Sequence, residues 1–209
     1  MPKSLIDCQY FGSILYFLIV HKSKNVLVDL GENFKKSTYR NRFYIPGPNG
    51  ILFLTVPLKK GKNQRCNMNA IEISYNHPWQ DLHWKTLCAS YRRSPYFEYY
   101  EDEVKELLYR KHLKLVDLNI YIIEWLFKTL SFESVKISYS ENYIDNLSLD
   151  LTDYRSKLKP NVTIYEELIN DYTLPKYIQV FEDKIGFKSN MSILDLIFYE
   201  VPNSVSYFN

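Results

Sequence analysis

The sequence predicts an α/β protein: a single domain over residues 1–209 with a mixed β-sheet, packed helices and an antiparallel hairpin. Three observations carry this prediction. A strand-helix-strand order fills the first 30 residues. Two apolar runs flank Pro46-Gly47-Pro48-Asn49-Gly50. Three helical patterns then follow one another between Trp79 and Leu130.

Leu5-Ile6 reads as a short strand, Phe11 to His21 as a buried helix and Asn25 to Leu30 as a second strand, a βαβ-like start. Thr38 to Ile45 and Ile51 to Leu58 read as the arms of the hairpin, because proline and glycine between apolar runs favour a tight reversal. A basic loop, Lys59 to Arg65, precedes a further strand at Ala70 to Ser74.

The first of the three helices spans about Trp79 to Tyr91, with Trp84, Leu87, Cys88 and Tyr91 as its apolar stripe and Trp79, His83, Thr86 and Ser90 as a small uncharged face. Pro95 opens the second, which ends near Tyr109. The third, Leu113 to Leu130, carries Asn119 on its apolar face, where an amide must find hydrogen-bond partners. Val135 to Tyr139 reads as a strand, residues 140–176 as a surface excursion and Ile193 to Tyr199 as the last helix.

At 209 residues, 46% hydrophobic and 24% charged, the chain can bury a sizeable core without disulfides or metals. Cys8, Cys66 and Cys88 are odd in number and match no metal-ligand spacing, so they read as free thiols in a reducing compartment. The start Met1-Pro2-Lys3-Ser4 does not read as a signal peptide, and the apolar run Ile14 to Val20 is too short to span a bilayer. A cytoplasmic protein without membrane insertion is expected.

The net charge of +2 is unevenly spread: residues 1–100 hold 14 Lys/Arg against 6 Asp/Glu, and residues 101–209 hold 12 against 18. A basic N-terminal half suits a phosphate-bearing small molecule. No dense basic run interleaves with aromatics, so nucleic acid is not the expected partner. Glycine-rich phosphate loops, GxSxG and HExxH are absent, and the four histidines have no metal-ligand spacing, so no cofactor and no metal are expected.

The candidate chemistry rests on a few positions. Arg40 and Arg42, at i and i+2 on an expected strand, would point to one face and suit a phosphate or carboxylate, against the plainer reading of ordinary ion pairs. His83 is the candidate base, against the plainer reading of a satisfied core histidine. Ser192 and Asp195 have capping-box spacing, which would also hold Asp195 ionised at a helix start. Asp29 falls near a strand end, where open α/β sheets place ligand groups.

Three ordered segments resemble the WbqC-like protein family of bacteria. The first is Thr38-Tyr39-Arg40-Asn41-Arg42 followed by Ile45 to Gly50. The second is Trp79-x-x-x-His83-Trp84-Lys85 with Ala89-x-Tyr91 and Ser94-Pro95-Tyr96-Phe97-Glu98-Tyr99-Tyr100. The third is Tyr177-Ile178-Gln179-Val180-Phe181, continuing through Gly186-Phe187, Asn190 and Ser192 to Phe198. Cys8 to Ser13 lacks the expected proline-rich turn, and Phe198 to Pro202 lacks the usual Asn and Gly.

The resemblance implies a role in O-antigen or other surface-polysaccharide biosynthesis, with a nucleotide-linked sugar as substrate. It marks Tyr39, Arg40, Asn41, Arg42, Trp84, Tyr91, Gln179, Phe181 and Ser192 as substrate-binding positions. His83, with Asp195 or Asp29, would supply catalysis. The expected activity is acyl or aminoacyl transfer to a nucleotide-linked amino sugar. The alternative is a non-catalytic binding or assembly module that recruits an intermediate or other glycan-pathway enzymes, and a third reading is nucleic-acid binding, including aminoacyl-tRNA as a donor.

Overall fold

The structure is a computed structural model that describes residues 3–59, 66–145, 150–160, 172–200 and 203–208. It is a mixed α/β fold, as the sequence predicts. Strand β1 (Lys3–Asp7), helix α1 (Ile14–Ser23) and strand β2 (Asn25–Asp29) form a βαβ unit, with β1 and β2 parallel and Asp7 in register with Asp29. Helix α1 is buried on nearly all sides, which its run of Ile, Leu, Tyr, Phe and Val requires. Ser13 caps it by accepting a hydrogen bond from the Tyr16 N–H, and Lys24 ends it in the left-handed region at φ 55°.

Strands β3 (Arg42–Gly47) and β4 (Gly50–Thr55) pair antiparallel across the expected turn. Gly50 sits at φ +134°, which a side chain rarely tolerates. Helices α2 (Trp79–Tyr91), α3 (Phe97–Tyr109) and α4 (Leu115–Thr129) follow at the expected places. The buried residues of α2 are Trp79, His83, Leu87, Ser90 and Tyr91, whereas Trp84 and Cys88 are only half-buried, so the helix is turned toward the face expected to be polar. The Asn119 side-chain nitrogen of α4 finds partners by donating to the carbonyls of Arg40 at 2.8 Å and Cys8 at 3.2 Å.

Strand β5 (Lys136–Ser140) joins β2 in parallel, and β6 (Leu151–Asp153) joins the other side of β1, giving the sheet order β5-β2-β1-β6. The short helix α5 (Glu182–Ile185) and helix α6 (Ile193–Glu200) complete the elements, with a 3-10 turn at Asn203–Phe208. Among the described residues, no helix is long and apolar enough to cross a membrane.

Three expectations change. The strand expected from Thr38 starts only at Arg42, because residues 35–41 turn: Ser37 is left-handed at φ 59°, and Thr38 Oγ1 donates to the Lys35 carbonyl at 2.7 Å. Ala70 to Ser74 makes only isolated bridges, Ile73 with Leu58 and Glu72 with Lys114, after a 3-10 turn capped by Asn67. The excursion after residue 140 returns to the sheet through β6. Most of the basic loop, residues 60–65, and residues 146–149 and 161–171 of the excursion lie outside the described residues.

Candidate functional site at the carboxyl edge of the sheet

Strands β1, β2 and β6 lie side by side and end, in the same direction, on Asp7, Asp29 and Asp153. Ligand groups in open parallel sheets gather at this edge, where strand order diverges from the first strand. Glu32 joins the carboxylates from the loop after β2. Two guanidiniums hold the four together. Arg40 Nε donates to Glu32 Oε1 at 2.7 Å and Nη2 to Oε2 at 2.6 Å, a two-point fork. Its Nη1 lies 3.3 Å from Asp7 Oδ2 and donates to Thr38 Oγ1 at 3.2 Å. Arg155 donates to both oxygens of Asp153 and, through Nη1, to Asp29 Oδ2, while the Gly31 N–H donates to Asp29 Oδ1 at 2.8 Å.

An open cleft of about 520 Å³ lies over this cluster, lined by Gly31, Glu32, Asn33, Lys35, Tyr143, Asp153 and Arg155. Gly31 shapes its wall: a Cβ there would sit 2.1 Å from the Tyr143 nitrogen, so only glycine lets the Asn142–Tyr143 backbone pass. The exposed Tyr143 ring lies against Arg155, 4.7 Å from its guanidinium carbon. Four carboxylates face two guanidiniums and Lys35, so the charges of the site nearly balance. Burial raises the Glu32 carboxyl above the ordinary carboxylate range, Arg40 opposes it, and Asp7 and Asp29 push the same way as burial. Burial acts on Asp153 too, but the hydrogen bonds from Arg155 outweigh it and hold that carboxyl below its ordinary value.

The residues singled out in the sequence divide among separate places. Asp29 and Arg40 belong to this cluster. Arg40 is completely buried with its guanidinium committed to side chains, so the plainer reading of an ion-paired arginine replaces that of an open phosphate clamp. Arg42 does not share its face, because strand alternation begins only at Arg42. It lines a different groove, with Asn41.

His83 is a core histidine. Tyr10 donates its hydroxyl to Nδ1 at 3.0 Å, and Nε2 donates to the Thr55 carbonyl at 3.3 Å in the neutral ring. Trp79 and Phe43 pack on the same imidazole, and burial lowers its pKa to about 4. Both nitrogens are engaged and the ring has no exposure to solvent, so the base role expected of His83 does not fit. Neither Asp29 nor Asp195 touches it.

Asp195 anchors a second polar knot. Tyr91 donates to Oδ1 at 2.7 Å, and Tyr177 and Gln179 donate to Oδ2 at 2.5 and 2.7 Å. Burial raises this carboxyl to about 6 against those three donors. Gln179 also donates to the Lys188 carbonyl and accepts from the Lys188 N–H. Ser192 caps α6 by accepting from the Leu194 N–H at 3.3 Å, but its own N–H goes to the Tyr44 carbonyl, so the reciprocal half of the capping box is absent. Tyr91, Gln179, Ser192 and Asp195 thus tie α2, the 177–188 segment and α6 together.

Three marked aromatics pack elsewhere. Trp84 stacks on Phe97 with ring centroids 6.1 Å apart. Phe181 is half-buried and lines a groove with Arg92 and Arg93. The buried Tyr39 ring meets Tyr44 edge-on at 5.6 Å.

The three motifs therefore mark ordered parts of one fold rather than one constellation. The model of the WbqC-like protein family matches residues 8–168. The chain belongs to the WbqC-like family. No curated protein and no solved structure matches it. The matched span of this WbqC-like protein includes Asp29, Glu32, Arg40, Asp153 and Arg155, whereas the knot at Asp195 lies beyond it.

Sequence reasoning missed Asp7, Glu32, Tyr143, Asp153 and Arg155. Asp7 carried the signal used for Asp29, an acid at a strand end, and could have been found with it. Asp153 and Arg155 fall in the stretch whose strand β6 is only three residues long, too short for a periodic pattern.

Proposed function

We propose that this WbqC-like protein serves bacterial surface-polysaccharide biosynthesis by transferring an acyl or aminoacyl group to a nucleotide-linked amino sugar, with the sheet-edge cleft as the acceptor's site. The observation that carries this reading is the Glu32 carboxyl: it lines an open cleft, is pinned in one orientation by Arg40 with a second lone pair left on each oxygen, unlike the engaged ring nitrogens of His83, and is raised by burial. A carboxyl tuned upward toward neutrality is suited to proton transfer.

The Glu32 and Asp153 carboxylates on the cleft wall can accept hydrogen bonds from an amino group, and Tyr143 offers a face for a sugar ring. In the proposed step the free amine attacks the carbonyl carbon of an activated ester or thioester. The C–N bond forms, the ester or thioester bond breaks, and the alcohol or thiol departs. Glu32 takes the proton that the amine nitrogen loses and hands it to the leaving oxygen or sulfur, which departs as the alcohol or thiol. The test is mass spectrometry of nucleotide-linked amino sugars incubated with protein and acyl or aminoacyl donors. The amide product should form with wild type and fall at least about a hundredfold with Glu32→Gln, the usual loss for a missing general base. Equal product with the variant removes Glu32 from the reaction.

The second reading, a non-catalytic assembly module, is favoured by the hairpin. Ile51, Leu52 and Phe53 of β4 are 47%, 38% and 59% exposed, an apolar stretch of the kind that partners cover. Under that reading Phe53→Ser abolishes polysaccharide output in cells while Glu32→Gln leaves it intact.

A further inference from the structure

The fold holds a second polar concavity that the transfer reading does not use. It lies between the start of the β3–β4 hairpin and the turn before it, has a volume of about 240 Å³, and is lined by Asn41, Arg42, Thr55, Lys36, Phe34 and Leu58 among others. Arg42 and Thr55 are register partners at the open end of the hairpin. Three buried polar atoms on its walls have no hydrogen-bond partner among the described residues: Asn41 Oδ1, Arg42 Nε and Thr55 Oγ1. Buried polar atoms are nearly always satisfied, so three on adjacent or paired residues around one concavity ask for an explanation.

Asn41 is fixed from both sides. Its carbonyl accepts from the Val56 N–H at 2.8 Å, and its Nδ2 donates to the Val56 carbonyl at 2.9 Å. It is 6% exposed, so its Oδ1 is a buried acceptor held in place. The Arg42 guanidinium is steadied over the Phe53 ring, 5.4 Å from its centroid. A preorganised acceptor, a guanidinium edge, a hydroxyl and the nearby Lys36 ammonium together match a definite chemistry.

We infer that the Asn41–Arg42–Thr55 groove is a binding site for an oxyanion that carries an N–H or O–H donor beside it. Arg42 Nε and the Thr55 hydroxyl donate to the oxyanion, and Asn41 Oδ1 accepts from the neighbouring donor. Sugar phosphates and α-amino acids both present this pair of groups. The volume lies below the range of pockets that enclose whole drug-sized molecules, roughly 300–1,000 Å³, so the groove takes a small ligand or one end of a larger one. The inference stands whether or not Glu32 catalyses transfer.

The test is an amide-resolved NMR titration of the isotope-labelled full chain with glucose 1-phosphate, inorganic phosphate, glycine and acetate in separate arms. Shifts centred on residues 41–42 and 55–56 are expected, with glucose 1-phosphate tighter than inorganic phosphate if the source is a sugar phosphate, or glycine tighter than acetate if it is an amino acid. Arg42→Met should weaken the responding ligand roughly tenfold or more, the loss of a charge-assisted contact. Thr55→Val should weaken it too while leaving or raising the ligand-free melting temperature, because it removes an unpaired hydroxyl rather than a bond. Lys35→Ala, in the sheet-edge cleft, should leave this binding unchanged. Shifts that survive Arg42→Met, that vanish with Lys35→Ala, or that are absent at residues 41–42 and 55–56 with all four ligands overturn the inference, as does a lower ligand-free melting temperature for Thr55→Val.

Discussion

Arg40 and Glu32 meet in a two-point fork, at 2.7 and 2.6 Å, with the guanidinium completely buried. The same guanidinium lies against Asp7 at the end of β1. One residue of the Tyr39-Arg40-Asn41-Arg42 motif therefore holds the loop after β2 to the end of β1.

Removing Arg40 strands two buried carboxylates, which is far costlier than losing an exposed ion pair. Arg40→Ala should destabilise the fold by about 3–5 kcal/mol, the usual cost of breaking a buried pair. Replacing Arg40 and Glu32 together by Met and Leu should recover part of that loss, because neither the guanidinium nor Glu32 is then left behind. Denaturant unfolding of wild type, the single variant and the double variant measures both effects. A loss below about 1 kcal/mol would mean that the pair behaves as an exposed one.

The βαβ start, the hairpin and the three long helices were legible because each has a run of residues with a clear period or a strong turn. The site was legible only where a single local rule reached it. Asp29 was found by its place at a strand end. Arg40 was found as an anion partner but assigned to a solvent-borne ligand, since the acids that satisfy it sit 8 and 33 positions away in the chain. His83 has a polar side chain that invites a catalytic reading, yet its two partners, Tyr10 and Thr55, come from distant segments. Long-range pairing of this kind leaves no mark in local spacing.

Gly31 gives a prediction about the cleft wall. A methyl group at this position would lie 2.1 Å from the Tyr143 nitrogen and 2.2 Å from the Asn142 carbonyl carbon. Gly31→Ala should displace that backbone and cost about 1–3 kcal/mol, the range for overpacking. Because Tyr143 lines the cleft, the variant should also lose binding of whatever ligand the wild-type cleft holds, while the groove at Arg42 keeps its own. Normal stability would show that the loop gives way at no cost.

His83 and Asp195 give opposed pH dependences. The folded-state pKa of His83, about 4, lies below its ordinary 6.5. The unfolded chain therefore binds the proton more readily between those values. Stability from this group is complete above pH 6.5 and is lost as the pH falls toward 4. The folded-state pKa of Asp195, about 6, lies above its ordinary 3.8. Here the folded chain binds the proton more readily, so the contribution is complete below pH 3.8 and is lost as the pH rises through 6. Each shift corresponds to about 3 kcal/mol, at roughly 1.4 kcal/mol per pKa unit. In wild type the two slopes overlap between pH 4 and 6 and largely cancel. Relative to wild type, His83→Phe should make stability fall more steeply as pH rises through that window, and Asp195→Asn should make it rise more steeply. Urea unfolding at half-unit steps from pH 4 to 7 measures the slopes relative to wild type. Parallel profiles for wild type and both variants would show that neither group changes its proton affinity on folding.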